Sequence, residues 1–590
     1  MSDVWGSDII ARALREVDLP YVALNPGASY RGLHDSLVNL LGNERPRMLV
    51  FLHEEHAVAC AHGYAKVTGR PMGVVLHSNV GLMHGAMAIY NAYCDRVPMM
   101  IIGATGPLDA AKRRPWIDWL HTAADQASII RPYIKWDDQP TSVRASVESL
   151  LRGSMLTRTA PKAPVYVVLD AAVQEALVPD MPIPPVERYA SPAGAQPDDE
   201  VLDRAVRLLR KAERPLILMG RVSRSQQAWD QRVALAEALG AAVVTDAKAG
   251  AAFPSVHPLH VGAPGYFLDT ATRQALGAAD VVLALDWIDL GGTLAQAYTS
   301  ETVTSTIVSV SVDLHLHAGW SRDYGSLPPV DVPILAEPDV AVPLLLARLS
   351  EPNGAGGGTR EPWVNALPPV DRAEDPDTGD GGEISMAALA AALRTAVAGS
   401  PVCLVRLPLG WSGHLWDFDG PLDYLGYDGG GGIGSGPGMS VGAALALRDT
   451  DVLPVAVLGD GDFLMGATAL WTAVVEKLPL LVVVANNRSY FNDELHQDRV
   501  AVQRDRPREN RSVGQRIEGP TVELTQLAQG QGARVWGPVT DPAQLPAALA
   551  EAAAAARNGA VAFVDVWVER RYDAEMAAGL VRAAAGAEDS

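Results

Sequence analysis

Short runs of consecutive apolar residues alternate along the chain with stretches of helical periodicity. In the first third, such runs lie at residues 73–76, 99–103 and 165–169. A continuously apolar run of this length between helical segments is typical of a strand buried on both faces of a parallel sheet. The pattern therefore predicts a parallel sheet with helices on both faces over residues 1–180.

The same pattern recurs in two further blocks, residues 198–350 and 383–569. Their apolar runs lie at 215–220, 242–245, 281–285, 402–406, 453–458, 480–485 and 562–568. Segments rich in proline or glycine separate the blocks and indicate linkers at 178–197 and 351–382. The sequence thus predicts an α/β fold of three doubly wound parallel-sheet domains. A short C-terminal tail, 570–590, is too small to fold alone and is a possible lid.

Composition and charge limit what these domains do. A chain of 590 residues is too long for one core and fits about three domains of ~150–200 residues. The net charge of −21 disfavours nucleic acid and anionic membranes as partners, because both attract positive surfaces. No apolar run reaches the ~20 residues that span a bilayer. With three scattered cysteines and no signal-like N-terminus, we expect a cytoplasmic enzyme.

The strongest chemical signal lies at the ends of two predicted strands in the third block. Asp460 follows one strand within VLGDGDF, and Asn487 follows the next strand, 27 positions later, within VANNRSY. Adjacent strand ends meet at the carboxyl edge of a parallel sheet, where such folds bind ligands. Mg²⁺ prefers oxygen ligands that include ligand phosphates, so Asp460, Asn487 and the Ser489 carbonyl are predicted to hold this ion.

Neighbouring residues are predicted to contact a phosphorylated cofactor on that ion. Glycines beside Asp460 allow the backbone to approach the ligand, and the start of the following helix favours a diphosphate. The predicted contacts are Gly459, Gly461, Asp462 and Tyr490. The competing interpretation is a tight Gly-Asp-Gly turn and an unrelated Asn-Asn turn, which a lone GDG would not exclude.

The pattern of Asp460-Gly and Asn486-Asn487 resembles the cofactor motif of the acetolactate synthase and benzoylformate decarboxylase superfamily of thiamine diphosphate enzymes. The resemblance covers nearly the whole chain. It implies pyrimidine-binding, middle and diphosphate-binding domains in that order, with thiamine diphosphate and Mg²⁺ as cofactors. It also implies a homodimer or homotetramer, with the cofactor between block one of one subunit and block three of another.

Glu54 is the expected partner of the cofactor's pyrimidine ring. It follows a predicted strand at 48–52 and opens a helix within HEEHAVACAHGYA, which resembles the glutamate motif of the superfamily. The implied role is a hydrogen bond to N1′ that promotes the imino tautomer and so activates thiazolium C2. Two alternatives are a helix start with acids that complement its dipole, and a zinc site. The spacing of His53 and His56 disfavours zinc, because it is three residues and HExxH requires four.

A glycine cluster at 429–438 is predicted to shape the cofactor site. It lacks the regular GxGxxG and the downstream acid of a dinucleotide-binding loop. By the family resemblance, Ile433 is the bulky residue that bends the cofactor, and the Gly431 carbonyl accepts from its 4′-amino group. Gly410 and Ser412 are expected to contribute backbone groups to the diphosphate site. The alternative is a glycine-rich loop with a core isoleucine.

Two histidines are candidates for the substrate side of the site. His77 follows a predicted strand and resembles the active-site histidine of benzoylformate decarboxylase, and His121 falls where acetolactate synthases place a pocket residue. The alternative for each is a structural role. The loop at 25–28 resembles one that carries a substrate-binding serine in the decarboxylase. Ala28 stands in that place here, which argues against a close benzoylformate decarboxylase.

Glu494 is the sharpest indication of the reaction. It lies seven positions after Asn487, where a helix covers the thiazolium in this superfamily, and a carboxylate there is able to take a substrate hydroxyl proton. The alternatives are a solvated acid at a helix start, or Asp493 in the same role. Between 499 and 516, six arginines and two acids give a net charge of +4, which suits phosphate oxygens unless the segment is a solvated loop with mixed ion pairs.

The acid, the arginines and a tail able to cover the site together resemble the actinobacterial-type 2-hydroxyacyl-CoA lyases, which include 2-hydroxyisobutyryl-CoA lyase. The implied catalytic residues are Glu54, Glu494, His77 and His121, acting on an acyl-CoA that is split into a ketone or aldehyde and formyl-CoA. One alternative is a 2-oxo-acid decarboxylase or acetolactate-synthase-type carboligase, which acts without CoA. The other is a protein that binds the cofactor without turnover, against which the presence of Glu54 argues.

Overall fold

Three parallel β-sheets, each packed with α-helices, form the protein. The computed structural model describes residues 3–298, 302–315, 327–351, 362–366 and 382–572, together with 576, 577 and 579. The predicted class of three α/β domains is confirmed. Most of the linker predicted at 351–382 and most of the tail predicted at 570–590 lie outside the described residues.

The first domain has eight strands, of which six form one parallel sheet. Its strands are β1 (Asp3–Trp5), β2 (Tyr21–Leu24), β3 (Arg47–Val50), β4 (Met72–Leu76), β5 (Met99–Thr105), β6 (Trp136–Asp138), β7 (Pro164–Asp170) and β8 (Leu177–Pro179). Its helices are α1 (Gly6–Glu16), α2 (Arg31–Asp35), α3 (Glu54–Thr68), α4 (Ser78–Cys94), α5 (Ile117–Leu120), α6 (Val143–Arg158) and α7 (Ala171–Gln174). The order β3-β2-β4-β5-β7-β6 is parallel throughout, and β1 pairs with β8 in an antiparallel ribbon.

The middle domain has a five-stranded parallel sheet. Its strands are β9 (Pro215–Met219), β10 (Ala242–Thr245), β11 (Val281–Leu285), β12 (Thr306–Val310) and β13 (Val332–Ile334). Its helices are α8 (Asp199–Lys211), α9 (Gln226–Leu239), α10 (Thr270–Ala278), α11 (Leu290–Ala297) and α12 (Pro338–Leu349). The strand order is β10-β9-β11-β12-β13.

The third domain also has a five-stranded parallel sheet. Its strands are β14 (Val402–Arg406), β15 (Leu453–Gly459), β16 (Leu480–Asn486), β17 (Arg534–Val539) and β18 (Val561–Trp567). Its helices are α13 (Met386–Val397), α14 (Gly436–Leu447), α15 (Asp460–Gly466), α16 (Ala469–Val475), α17 (Phe491–Gln503), α18 (Leu524–Gly530) and α19 (Leu545–Arg557). The order β14-β15-β16-β18-β17 places β15 beside β16, the two strands that lead to the predicted metal ligands.

Helices α3 and α14 pack closely and join the first domain to the third. Their glycines permit this approach: Gly438 faces His56 and Ala59, and a Cβ at Gly442 would lie 1.9 Å from the carbonyl oxygen of Cys60. The two helices run parallel, so both begin at the same end. One apolar core therefore spans both domains and holds the start of α3 near the glycine-rich loop before α14. Among the described helices, none has the length and apolar character needed to cross a bilayer.

Replacing Gly442 with alanine is expected to destabilise the protein by about 1–3 kcal/mol, because the added methyl group overpacks the contact between α3 and α14. Gly530→Ala is the matched control, since a Cβ there would meet no atom within 4 Å. Chemical denaturation of both variants measures the effect. Equal stability of Gly442→Ala and the wild type would contradict this account of the domain contact.

Candidate active site

The predicted metal ligands converge at the carboxyl edge of the third sheet. Asp460 begins α15, directly after β15, and Asn487 directly follows the neighbouring strand β16. The backbone amide of Ser489 donates to Asp460 Oδ2 at 3.1 Å and to Asn487 Oδ1 at 2.9 Å. A carboxylate oxygen of Asp460 and the amide oxygen of Asn487 therefore lie close together, on either side of the Ser489 amide.

This oxygen set fits a magnesium ion that carries a diphosphate. Asp460 is 4% exposed, and its burial raises the pKa of the carboxyl to about 6. A divalent cation beside the carboxylate would offset the lost hydration. Asp460, Asn487 and the Ser489 carbonyl are the groups that would hold the ion, and their assignment as ligands stays a prediction.

The residues around Asp460 differ in what they contact. A Cβ at Gly459 would meet no atom within 4 Å, so the strand end is open to a ligand. A Cβ at Gly461 would lie 2.5 Å from the ring of Tyr490, which covers that side of the loop. Asp462 accepts hydrogen bonds from the backbone amides of Gly434 and Gly436, at 2.7 and 3.2 Å. Asp462 thus ties α15 to the glycine-rich loop.

The glycine-rich loop is anchored from both sides. Gly431 has a φ of +76° and is exposed, and its amide donates to Asp428 at 3.0 Å. The side-chain amide of Asn91, in α4, donates to the Gly432 carbonyl at 3.1 Å. Ile433 is half-buried at the centre of this loop. A rigid loop with an exposed Gly431 backbone suits the predicted contact with a bent cofactor.

Gly410 lies beside the start of α17. A Cβ at Gly410 would approach the Tyr572 ring to 2.9 Å, and this ring packs edge-on against Phe491 with centroids 5.2 Å apart. Ser412 has a local role, since its hydroxyl accepts from the backbone amide of His414 at 3.5 Å. The predicted contribution of both residues to diphosphate binding remains a prediction.

Glu54 lies in the first domain, buried at the start of α3. Its Oε2 is 3.0 Å from Nδ1 of His84 in α4. The next two residues face the third domain of the same chain: Glu55 approaches Gly434, and His56 bonds to Thr468 at 3.0 Å. Glu54 therefore faces α4, whereas Glu55 and His56, the next two residues of the helix, face the third domain.

His77 is held at the end of β4 by a residue that the sequence did not indicate. Its Nδ1 lies 2.8 Å from the hydroxyl of Ser29, and its ring meets that of His121 edge-on, with centroids 4.8 Å apart. Burial and the neighbouring His121 lower the pKa of His77. The hydroxyl that contacts His77 comes from Ser29, the residue after Ala28. The available sequence signal for this contact was the position of Ser29 directly after the loop at 25–28.

Glu494 is fully buried, so the interpretation as a solvated helix-start acid is wrong, while Asp493 beside it is exposed. Glu494 Oε1 accepts from the Ser489 hydroxyl at 2.6 Å and from Arg516 Nε at 2.9 Å. Burial alone would raise the pKa of Glu494, but the hydrogen bonds from Arg516 and Ser489 hold it below its usual value. Ser489 thus joins the predicted metal loop directly to the candidate base.

The arginine-rich segment forms an open groove beside Glu494. The groove has a volume of about 360 Å³ and is lined by Arg508, Glu509, Arg511, Ser512 and Arg516. Arg508 and Arg511 also pair with Asp498, at 2.6 and 3.1 Å, so part of the segment has the mixed ion pairs of the alternative interpretation. Arg516 alone among the three reaches Glu494 within 3 Å.

Several contacts in these sites were not predicted because they join distant parts of the chain. Arg570 Nε donates to the Asn487 carbonyl at 2.8 Å, and Tyr572 packs on Gly410, so the first residues of the predicted tail contact the predicted metal loop and its surroundings. His84 and Ser29 were also not predicted. Arg516 was part of the predicted basic run, but its contact with Glu494 was not predicted.

Comparison with known sequences gives three matches in chain order. Residues 4–129 match the family described as thiamine pyrophosphate enzyme, N-terminal TPP binding domain. Residues 202–341 match the central domain of these enzymes, and residues 408–566 match their C-terminal TPP binding domain.

Among curated proteins, the large subunit of acetolactate synthase from Corynebacterium glutamicum is 27% identical over 499 residues, which cover 82% of this chain and 75% of that protein. Sulfoacetaldehyde acetyltransferase from Rhodobacter capsulatus is 27% identical over 337 residues, covering 55% of this chain and 54% of that protein. Both are enzymes by name, and they differ in the reaction that their names state.

Solved structures share the fold. Benzoylformate decarboxylase from Polynucleobacter necessarius superposes with a TM-score of 0.78 at 19% identity, covering 96% of this chain and 99% of that chain. The 4-hydroxybenzoylformate decarboxylase from Rhodococcus jostii gives a TM-score of 0.75 at 20% identity, covering 97% of this chain and 100% of that chain. At these identities the likeness concerns the fold alone.

Asp460→Ala is expected to weaken Mg²⁺-dependent binding of thiamine diphosphate by at least about 100-fold, because it removes a charged oxygen from the metal loop. Asp451→Ala, an exposed acid just before the opposite end of β15, is the matched control. Titration calorimetry of each variant with the cofactor, with and without Mg²⁺, measures the change. Unaltered Mg²⁺ dependence in Asp460→Ala would remove this residue from the ion site.

Proposed function

Since the chain belongs to the thiamine diphosphate-dependent enzymes, we propose that it is a carbon–carbon lyase that splits a 2-hydroxyacyl-CoA into a ketone or aldehyde and formyl-CoA. The cofactor, when bound, would supply a nucleophilic carbon for the thioester carbonyl and an electron sink for the bond that breaks. The protein supplies proton transfer and orientation.

The observation that carries the proposal is the position of Glu494. It is a fully buried carboxylate, one hydroxyl away from the predicted metal loop through Ser489. A lyase of this type needs a base for the proton of the substrate's 2-hydroxyl, because cleavage turns that carbon into a carbonyl. A 2-oxo acid, the substrate of a decarboxylase, carries no 2-hydroxyl.

The residues of the chain divide the proton transfers between them. Glu54 holds a proton at N1′ of the pyrimidine. Glu494 takes the proton of the 2-hydroxyl while the C1–C2 bond breaks, and a proton is then added to the former thioester carbon. The products together contain the same atoms as the substrate, so the reaction needs no oxidant or reductant.

Arg516 controls when Glu494 acts as a base. While Arg516 holds the carboxylate, the pKa of Glu494 is low and the carboxylate is a poor proton acceptor. The phosphates of a CoA ester would draw the guanidinium groups of the neighbouring groove towards themselves. Glu494 would then be released from Arg516 and become more basic at the time when the substrate is present.

We also propose that the enzyme is a homodimer or homotetramer. Glu54 faces α4, whereas Glu55 and His56 contact the third domain of their own chain. The face around Glu54 carries exposed apolar side chains, with Leu52 48% and Met83 54% exposed. These features favour a second subunit that covers Glu54 and contributes its own Asp460 loop to the same cofactor.

The alternative function is a 2-oxo-acid decarboxylase or a carboligase of the acetolactate synthase type. The named relatives favour it, since they include an acetolactate synthase and two decarboxylase structures. His77 and Ser29 would then be the groups nearest the carboxylate-bearing substrate. The two functions differ in the products that they release.

Incubation of the enzyme, loaded with Mg²⁺ and thiamine diphosphate, with 2-hydroxyisobutyryl-CoA and separately with pyruvate tests the proposal. We expect acetone and formyl-CoA from the first substrate. Release of CO₂ from pyruvate, with no cleavage of the CoA ester, would support the alternative and overturn the lyase.

Glu494→Gln is expected to lower kcat for the CoA ester by at least about 100-fold, because the amide cannot accept the hydroxyl proton. Cofactor binding should be retained, since Glu494 lies beside the metal loop without being one of its predicted ligands. Asp493→Asn, the exposed neighbour, should keep wild-type turnover. Loss of turnover in Asp493→Asn with normal turnover in Glu494→Gln would move the role to Asp493.

A further inference from the structure

His84 reaches the carboxylate on which cofactor activation depends. It projects from α4, and its Nδ1 lies 3.0 Å from Glu54 Oε2. Its ring stacks on that of His53, with centroids 5.0 Å apart and planes inclined by 17°. The carboxylate is buried, whereas the His84 side chain is 58% exposed. The ring thus links a buried acid to the surface of the chain.

The two oxygens of Glu54 have different surroundings. Oε2 is engaged by His84, while Oε1 lies against the backbone of Gly81, where an added Cβ would approach it to 3.1 Å. An imidazole that donates Nδ1–H to Oε2 stabilises that oxygen as an acceptor. The proton of a neutral Glu54 then belongs on Oε1.

We propose that His84 is a positioning residue that orients the Glu54 carboxyl and keeps its proton on Oε1. The proposal rests on the proposed role of Glu54 in activating the cofactor. In this arrangement His84 donates from Nδ1 to Glu54, and its effect on the cofactor passes through Glu54.

The other histidine and tyrosine side chains around Glu54 have partners elsewhere. His53 Nδ1 accepts from the backbone amide of Glu55 at 3.1 Å, and His56 bonds to Thr468 at 3.0 Å. His77 bonds to Ser29, and the Tyr30 hydroxyl donates to the carbonyl of Asn25. His84 is therefore the group in this cluster whose ring nitrogen directly contacts the carboxylate.

The test is the rate at which the cofactor's C2 proton exchanges with deuterium, measured by NMR on the enzyme loaded with Mg²⁺ and thiamine diphosphate. His84→Leu retains bulk but has no donor, and exchange at saturating cofactor should be about 10- to 100-fold slower. His84→Asn retains an N–H donor, so it should exchange near the wild-type rate. Cofactor affinity should be unchanged in both.

Two outcomes would overturn the proposal: wild-type exchange in His84→Leu, or equal slowing in His84→Leu and His84→Asn, which would indicate a packing role. His34→Asn, an exposed histidine of α2, is the control and should match the wild type. The assay contains no substrate, so its result is independent of whether the enzyme cleaves a CoA ester. Glu54→Gln must itself slow exchange, and failure of that variant to do so would overturn both roles together.

Discussion

The cost of burying a carboxylate governs this site. An unpaired buried carboxylate is unfavourable by several kcal/mol, so each one requires compensation. Glu54, Asp460 and Glu494 are 7%, 4% and 0% exposed, and each is compensated differently. Asp460 has the neutral backbone amide of Ser489, Glu494 has the guanidinium of Arg516, and Glu54 has the imidazole of His84. The neutral partner of Asp460 suits a cation site. The charged partner of Glu494 suits a base that is released on substrate binding, and the imidazole beside Glu54 suits an acid that keeps its proton.

The same structural arrangement brings Glu54 and Asp460 to the carboxyl edges of their sheets. In each of the two outer domains, a parallel sheet ends in loops at its carboxyl edge, and a helix begins there with an acid, Glu54 in α3 and Asp460 in α15. The close contact between α3 and α14 then fixes one domain relative to the other. Arg516, which lines the adjacent groove, pairs with the third carboxylate, Glu494.

The sequence predicted the parts of this site that are local. Asp460 and Asn487 directly follow an apolar strand, and Glu54 lies four positions after one, so strand position and residue type together locate them. The contacts that set their chemistry are between distant residues: His77 and Ser29 are 48 positions apart, Glu54 and His84 are 30 apart, and Glu494 and Arg516 are 22 apart. No local pattern encodes such pairs. The prediction also missed strands β1, β2, β6, β8, β12, β13 and β17. Strands β6, β13 and β17 lie at the edges of their sheets, which tolerate polar residues that interrupt an apolar run, whereas β2 and β12 lie inside their sheets.

The central claim is that Glu54 of one subunit and Asp460 of another act on the same cofactor. Mixing subunits that carry Glu54→Gln with subunits that carry Asp460→Ala, after dissociation and reassociation, tests it most directly. In a mixed dimer, one site would receive both substitutions and the other would receive none, so exchange of the cofactor's C2 proton should reappear although each variant alone lacks it. Absence of exchange in verified mixed dimers would contradict the claim and place the two residues at separate sites.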